Sequence, residues 1–230
     1  MCIRFYVSLL FSFVISGLYA RAPAPVPVSN ESAFESVYEK GVWGRDGNGR
    51  GNSGTGSDPK NAFVYLAFLQ QFLADHQIAS VVDLGCGDWR LGSSICWDGI
   101  EYLGIDVVKS VVAKNRDNFS ASNISFVLAD GVNYPLPAAD LLICKDVLQH
   151  LPFADIRQVI KQFPQFTYCL IVNDVDPITL TCKNRDIVRG DYRQIDLTQP
   201  PFALSGRKVL TYSNGPGITQ VLLIKNGSMR

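Results

Sequence analysis

The sequence predicts an α/β domain in which helices cover both faces of a mostly parallel sheet and an antiparallel hairpin closes the C-terminal end. Short apolar segments alternate with helical patterns between residues 58 and 175, and this alternation is typical of a parallel sheet. Acidic residues, Asp83, Asp106 and Asp130, stand at or just after the ends of three successive apolar segments. The handedness rule for parallel crossovers puts helices on both faces of the sheet.

The composition is that of one globular domain. The chain has 230 residues, of which 47% are apolar and 18% charged, and this length buries a sizeable core. Basic and acidic residues balance at 21 each, so we expect no nucleic-acid partner.

Residues 1–20 have the pattern of a signal peptide. Arg4 is followed by an apolar run that closes at Ala20, and the run is short for a transmembrane helix, which needs about 20 apolar residues. We therefore expect a protein of the secretory pathway or a secreted one, with no stable membrane insertion after signal cleavage. A signal-anchored lumenal form is the alternative.

The cysteines and the N-glycosylation sequons also bear on whether the chain enters the secretory pathway. Five cysteines follow the signal, an odd number that cannot pair completely within one chain, and no spacing of Cys and His suggests a metal site. Four sequons are compatible with secretion, namely those at Asn30, Asn118, Asn123 and Asn226.

Residues 21–57 are predicted to be a Pro-rich linker followed by a Gly-rich lid segment. A short helix is expected over 32–38, and residues 41–57 then combine many glycines with Trp43. A disordered linker fits the composition, whereas a lid over a ligand explains why a tryptophan stands there. The main domain is assigned to residues 58–226 and a tail to 227–230.

The first helix and strand of the main domain lead into a glycine turn. Asp58-Pro59 has the pattern of an N-cap followed by proline and predicts a helix from there to Leu73, with His76 capping its last carbonyls. The segment 78–84 reads as a strand buried on both faces and runs into Gly85 and Gly87, which let the backbone lie close to a ligand.

The later elements repeat this pattern. Residues 102–106 and 124–128 read as the second and third strands, joined by a helix over 107–119. Asp106 follows Asp83 by 23 residues, a spacing that suits hydrogen bonds to ribose hydroxyls. Strands are also expected over 140–144 and 168–174, with a helix over 155–163 between them, and residues 208–212 and 220–225 predict the hairpin.

The glycine turn excludes one class of nucleotide site and resembles another. A dinucleotide fingerprint would place its third glycine at Arg90. The motif DLGCGDW (residues 83–89) instead resembles motif I of the class I S-adenosylmethionine-dependent methyltransferases, and the strand that ends at Lys145-Asp146 resembles their motif IV.

This resemblance covers roughly residues 79–225 and implies a Rossmann-like, seven-stranded, mostly parallel sheet. It implies S-adenosyl-L-methionine as the cofactor and an acidic residue, Asp130, near the adenine amino group, although Asp130 also suits a simple turn. The cofactor-binding residues that we expect are Asp83, Gly85, Gly87, Asp106, Asp130, Gly131, Lys145 and Trp43.

Catalysis and substrate binding are assigned to polar residues near the strand ends. Removal of a proton from the methyl acceptor requires a base, and the candidates are Lys145, Asp146 and His150, the last being one helical turn beyond Asp146. Asp146 is equally suited to cap a helix, and His150 to pack against the sheet.

The polar loop over 184–193 offers Arg185, Tyr192 and Arg193 to a hydroxylated or anionic small molecule or glycan. The two arginines could instead pair with nearby aspartates on the surface. The function expected from the resemblance is O- or N-methyl transfer, and the alternative is a non-catalytic secreted binding or effector module that has kept the fold.

Overall fold

The computed structural model describes residues 29–215 and 217–227. It contains one seven-stranded sheet in the order β3-β2-β1-β4-β5-β7-β6. The strands are β1 Ser80–Leu84, β2 Glu101–Asp106, β3 Ile124–Leu128, β4 Ala139–Lys145, β5 Phe166–Val175, β6 Arg207–Ser213 and β7 Ile218–Lys225. The predicted signal peptide and most of the Pro-rich segment, residues 1–28, lie outside the described residues, as do residues 228–230.

The pairing of the strands confirms the predicted fold. β1 pairs in parallel with β2 and β4, β2 with β3, and β4 with β5, while β7 pairs antiparallel with both β5 and β6. Chain order reverses between β1 and β4, so the carboxyl ends of β1, β2 and β4 adjoin a crevice of the kind in which open α/β sheets bind ligands.

The described residues form four α-helices, namely α1 Asn30–Lys40, α2 Phe63–Asp75, α3 Lys109–Phe119 and α4 Phe153–Ile160. Helix α2 begins later than predicted. Asp58 does not cap it but closes a preceding turn, in which its Oδ1 accepts from the Lys60 amide and its carbonyl accepts from the Ala62 amide. At the other end, His76 Nδ1 lies 3.1 Å from the Phe72 carbonyl oxygen, as the capping prediction requires.

Alternating strand residues build a core on each face of the sheet. Val81, Leu141 and Leu170 belong to the core that contains the buried side chains of α2, while Val82, Leu142 and Ile171 belong to the core beneath α4. No helix within the described ranges is long and apolar enough to cross a membrane. The cysteines from Cys86 to Cys182 are free thiols.

The segment 41–57, which we call the strap, is folded against the domain together with α1. Its first half forms a closed turn in which Arg45 and Gly51 make a β-bridge and Asp46 Oδ1 accepts from the Arg50 amide at 2.9 Å. Tyr38 of α1 packs with Val108 and Val111 at the start of α3. The disordered-linker interpretation is therefore wrong, because the strap forms a defined part of the domain.

Candidate functional site

A pocket lies at the carboxyl ends of β1, β2 and β4 beneath α1 and the strap. It brings together every residue predicted to bind the cofactor and every residue predicted to act in catalysis. These are Trp43, Asp83, Gly85, Gly87, Asp106, Asp130, Gly131, Lys145, Asp146 and His150.

The glycine turn is closely covered by other parts of the protein. Gly85 and Gly87 have φ values of 74° and 56°, which favour glycine. A Cβ on Gly85 would overlap Val147 Cγ2, and one on Gly87 would lie 2.5 Å from Ser53 Oγ of the strap. The absence of side chains here is thus required by the close approach of Val147 and the strap, in addition to any requirement of a ligand.

Asp106 is held in position by the backbone. Its Oδ2 accepts from the Gly87 amide and its Oδ1 from the Val108 amide, both at 2.9 Å, and burial raises the pKa of the carboxyl. A carboxylate can accept about four hydrogen bonds, so these two bonds leave acceptor capacity for the hydroxyl pair of a ribose. Its contact with a ribose stays a prediction.

Asp83 has an unusual ionisation. Burial raises the pKa of its carboxyl to about 6, although the Tyr102 hydroxyl donates to Oδ2 at 2.6 Å and favours the charged form. A buried carboxylate of this kind becomes easier to ionise when a cation lies close to it.

Asp130 is a turn residue whose carboxylate already has several partners. Its Oδ1 accepts from the Val132 amide at 3.1 Å, Asn133 Nδ2 donates to Oδ2 at 2.9 Å, and Asn30 Nδ2 lies 3.2 Å from both oxygens. Of the two interpretations left open by the sequence, the turn is confirmed. Asn30 was not among the predicted site residues, because the sequence presents it only as the first residue of a sequon.

The motif after β4 forms an ion pair with a strained backbone. Lys145 Nζ pairs with Asp146 Oδ2 and also donates to the Gly56 carbonyl of the strap at 2.9 Å. Asp146 has a φ of 58°, which is uncommon for a residue with a side chain and is typical of strain at functional sites. Its Oδ1 is buried without a partner among the described residues.

The alternative of Asp146 as a helix cap is wrong. The following turn, Leu148–His150, is a 3-10 turn that begins after Val147 and has no side-chain cap. The expected α-helical turn between Asp146 and His150 is therefore absent, yet both side chains line the pocket.

His150 is fixed in one tautomer. Its Nδ1 lies 2.9 Å from the Asp191 carbonyl oxygen, which can only accept, so Nδ1 carries the hydrogen and Nε2 has the lone pair. Burial lowers the pKa of the imidazole, and the rings of Trp43 and Tyr192 lie 4.8 and 5.8 Å from it. The two rings that it packs against belong to the strap and to the loop over 184–193, and its role as a base stays a prediction.

Ser53 connects the strap to the glycine turn. Its Oγ lies 2.6 Å from the Tyr38 hydroxyl and accepts from the Asp88 amide at 2.8 Å, while its own amide donates to Asp88 Oδ2 at 3.2 Å. The strap thus contacts the turn through Ser53 and the Lys145–Asp146 pair through Gly56.

The predicted substrate residues have three different environments. Arg193 is buried and donates to the Leu148 and Leu151 carbonyls at 3.0 and 2.8 Å, so neither a substrate contact nor a surface ion pair is correct for it. Tyr192 is half exposed, donates to Asp174 at 3.1 Å and has its ring 5.8 Å from that of His150, but it does not line the pocket. Arg185 is exposed and does not line the pocket either.

Similarity to known proteins agrees with this geometry. Residues 81–167 match a family model described as a methyltransferase domain. Phosphoethanolamine N-methyltransferase 3 of Arabidopsis thaliana is 25% identical over 101 residues, which cover 42% of this chain and 21% of that protein. The chain thus spans about a fifth of the length of this curated relative.

Solved structures show the same fold. Magnesium protoporphyrin IX methyltransferase from Synechocystis PCC 6803 with bound S-adenosylmethionine has a TM-score of 0.61 at 14% identity, covering 89% of this chain and 100% of that one. Human N-acetylserotonin methyltransferase in complex with the same molecule has a TM-score of 0.54 at 17% identity, covering 87% and 61%. At such identities the likeness is one of fold.

Proposed function

We propose that this chain is a class I S-adenosylmethionine-dependent methyltransferase, which binds S-adenosylmethionine and methylates a small-molecule acceptor. The observation that carries the proposal is the meeting of two motifs in one pocket. The glycine turn with Asp106 lies on one side, and Lys145, Asp146 and His150 lie on the other.

The residues of the pocket fit the cofactor. Asp106 has acceptor capacity for the ribose hydroxyls, and the buried carboxyl of Asp83 lines the same pocket, where a nearby positive charge would stabilise its ionised form. Bound S-adenosylmethionine supplies a methyl group on a positively charged sulfur, which an acceptor oxygen or nitrogen attacks in line. The protein's main task is then to orient the acceptor, which can contribute about 7–11 kcal/mol.

His150 Nε2 is the proposed proton acceptor. The Asp191 carbonyl holds Nδ1 as a donor, so a proton that leaves an acceptor hydroxyl can be taken only by Nε2, and the resulting imidazolium keeps its Nδ1 hydrogen bond. Asp146 Oδ1 is a buried acceptor in the same pocket and is suited to orient that hydroxyl or an amine. Lys145 positions Asp146 through Oδ2.

The acceptor is proposed to be a hydroxyl or amine on an uncharged or cationic small molecule. The two cationic side chains that line the pocket, Lys145 and Arg90, are paired with Asp146 and Asp58, so they do not offer a free site to a phosphate or carboxylate. The rings of Trp43 and His150, which both line the pocket and lie 4.8 Å apart, favour a flat acceptor. A glycan remains a narrower version of this proposal, and we find nothing among the described residues that favours a non-catalytic module.

Two measurements test the proposal. Calorimetry with S-adenosylmethionine and S-adenosylhomocysteine should show saturable binding that Asp106→Ala weakens roughly tenfold, the scale of a hydrogen bond to a charged group, while the exposed control Asp117→Ala leaves it unchanged. Methyl transfer to a panel of phenols, alcohols and amines should then be lost in Asp146→Asn with cofactor affinity retained. A folded wild-type protein that binds neither molecule would overturn the proposal.

We also propose that residues 1–20 direct the chain into the secretory route, on the strength of their signal-peptide pattern. N-terminal sequencing of protein from its native source tests this. A mature chain that starts after Ala20 supports it, and a chain that begins at Met1 contradicts it.

A further inference from the structure

The two polar atoms of the buried Asn30 amide differ in their hydrogen bonding. Its Nδ2 lies 3.2 Å from both carboxylate oxygens of Asp130 and 3.3 Å from Asp155 Oδ2. Carboxylate oxygens only accept, so this end of the amide must be the nitrogen, and the opposite end must be the oxygen. That Oδ1 is buried, lacks a partner among the described residues, and belongs to a side chain that is only 4% exposed and lines the pocket.

A buried hydrogen-bond acceptor without a partner destabilises a protein by about 1–3 kcal/mol. Such an atom is therefore expected to accept a hydrogen bond from a ligand or another group. The protein supplies no donor in the described part. Helix α1 instead holds Asn30 against Asp130 in the turn that follows β3, and Val107, Ala129 and Gly131 line the same pocket. This is the end of the pocket where the sequence pattern led us to expect the adenine amino group.

The neighbouring carboxylates hold the amide and leave Asp130 little capacity of its own. The Val132 amide, the Asn133 side chain and Asn30 occupy the oxygens of Asp130. Asp155 is fixed by Arg189, whose Nε and Nη2 donate to its two oxygens at 2.7 and 2.8 Å. Two anchored carboxylates therefore turn the oxygen of Asn30 toward the pocket.

We infer that Asn30 Oδ1 is the acceptor for the 6-amino group of the cofactor's adenine, with Asp130, Asp155 and Arg189 as positioning residues. This inference rests on the proposed function, since it assigns a specificity contact in the same cofactor site. The hydrogen bond that recognises the adenine would then come from α1 and not from Asp130. Helix α1 lies outside the residues 81–167 that match the family model.

The test pairs a change in the protein with a change in the ligand. Calorimetry is carried out with S-adenosylhomocysteine and with its purine analogue, in which hydrogen replaces the 6-amino group. Wild-type protein should bind the amino form roughly five- to tenfold more tightly, the range of a net hydrogen bond in a buried site. In Asn30→Ala this preference should fall to within twofold, because only the amino form loses a partner.

Asn48→Ala is the matched control, since Asn48 is an exposed asparagine of the strap and its substitution should keep the full preference. Arg189→Lys keeps Asn30 but loosens Asp155 and should reduce the preference partially, which provides a second variant if Asn30→Ala does not fold. Equal binding of both ligands by wild-type protein, or a preference unchanged in Asn30→Ala, would overturn the inference. Failure of folded wild-type protein to bind S-adenosylhomocysteine would instead reject the proposed function.

Discussion

A single backbone carbonyl determines the chemistry available to His150. The oxygen of Asp191 holds Nδ1 as a donor, and burial between aromatic rings disfavours the charged imidazolium. The side chain therefore meets the pocket as a neutral base with one defined lone pair. Asp146, whose Oδ1 is buried and whose backbone is strained, complements it as an acceptor that stays fixed while a substrate binds.

This environment gives a pH dependence. Because the pKa of His150 lies below its ordinary value of 6.5, the base stays neutral as the pH falls through 6.5 and is lost only at lower pH. The acid limb of kcat/KM for a hydroxyl acceptor should therefore fall below pH 6.5. His150→Gln should abolish that limb and lower the rate about 10²- to 10⁴-fold.

The lowered pKa of His150 also makes the free energy of unfolding depend on pH. Below pH 6.5 the unfolded chain binds a proton at this histidine and the folded chain does not, so the free energy of unfolding decreases as the pH falls. If His150→Gln is less stable than the wild-type protein at pH 7.5, the difference between their melting temperatures should shrink as the pH falls. An acid limb at or above pH 6.5 that persists in the variant would assign it to another group.

At the scale of elements, the strands were predictable and the connections between them were less so. Segments such as Leu141–Cys144 are apolar on both faces, and that character alone marks a central strand. The start of α2 was placed too early because the Asp58-Pro59 pattern suits a turn as well as a cap. Arg193 was assigned to substrate because its carbonyl partners, Leu148 and Leu151, come from a distant part of the chain and give no local signal.

A substitution in the strap tests whether the position of Asp146 matters for methyl transfer. A Cβ on Gly56 would lie 2.7 Å from Asp146 Oδ2, so Gly56→Ala should displace the end of a side chain and leave the fold intact. We expect methyl transfer to fall on the order of ten- to a hundredfold, the cost of misplacing a reacting group by about 1 Å. Cofactor affinity should change less than threefold.

Gly47→Ala is the matched control, because a Cβ there would meet nothing within 4 Å. Initial rates with saturating cofactor, together with calorimetry and a thermal melt for each variant, separate the possibilities. Equal rates in the two variants would remove Asp146 from the reaction, and a lowered melting temperature in Gly56→Ala alone would make its effect structural.

At the scale of the whole molecule, the fold disfavours glycosylation at three of the four sequons. Glycans attach to the side-chain nitrogen of asparagine, and in Asn30, Asn123 and Asn226 that nitrogen donates to internal acceptors such as the Trp97 and Phe163 carbonyls. Asn118 alone of the four is exposed, with a single bond to the Lys114 carbonyl on its own helix.

Protein expressed through a eukaryotic secretory pathway should therefore reach the medium folded with sugar at Asn118 only. Peptide mass spectrometry before and after endoglycosidase treatment measures this, and Asn118→Gln should eliminate the mass shift. Folded, secreted protein that carries a glycan at Asn123 or Asn226 would contradict the hydrogen bonds described for those residues.

The strap has a thermodynamic consequence for the order in which ligands act. It contacts the glycine turn through Ser53 and the Lys145–Asp146 pair through Gly56, so a ligand that shifts the strap at one contact would change the binding of a ligand at the other. Such coupling is reciprocal by necessity: if bound cofactor raises acceptor affinity by some factor, bound acceptor raises cofactor affinity by the same factor. Binding isotherms for one ligand, repeated at rising concentrations of the other, would thus form a closed cycle with the strap as its shared element.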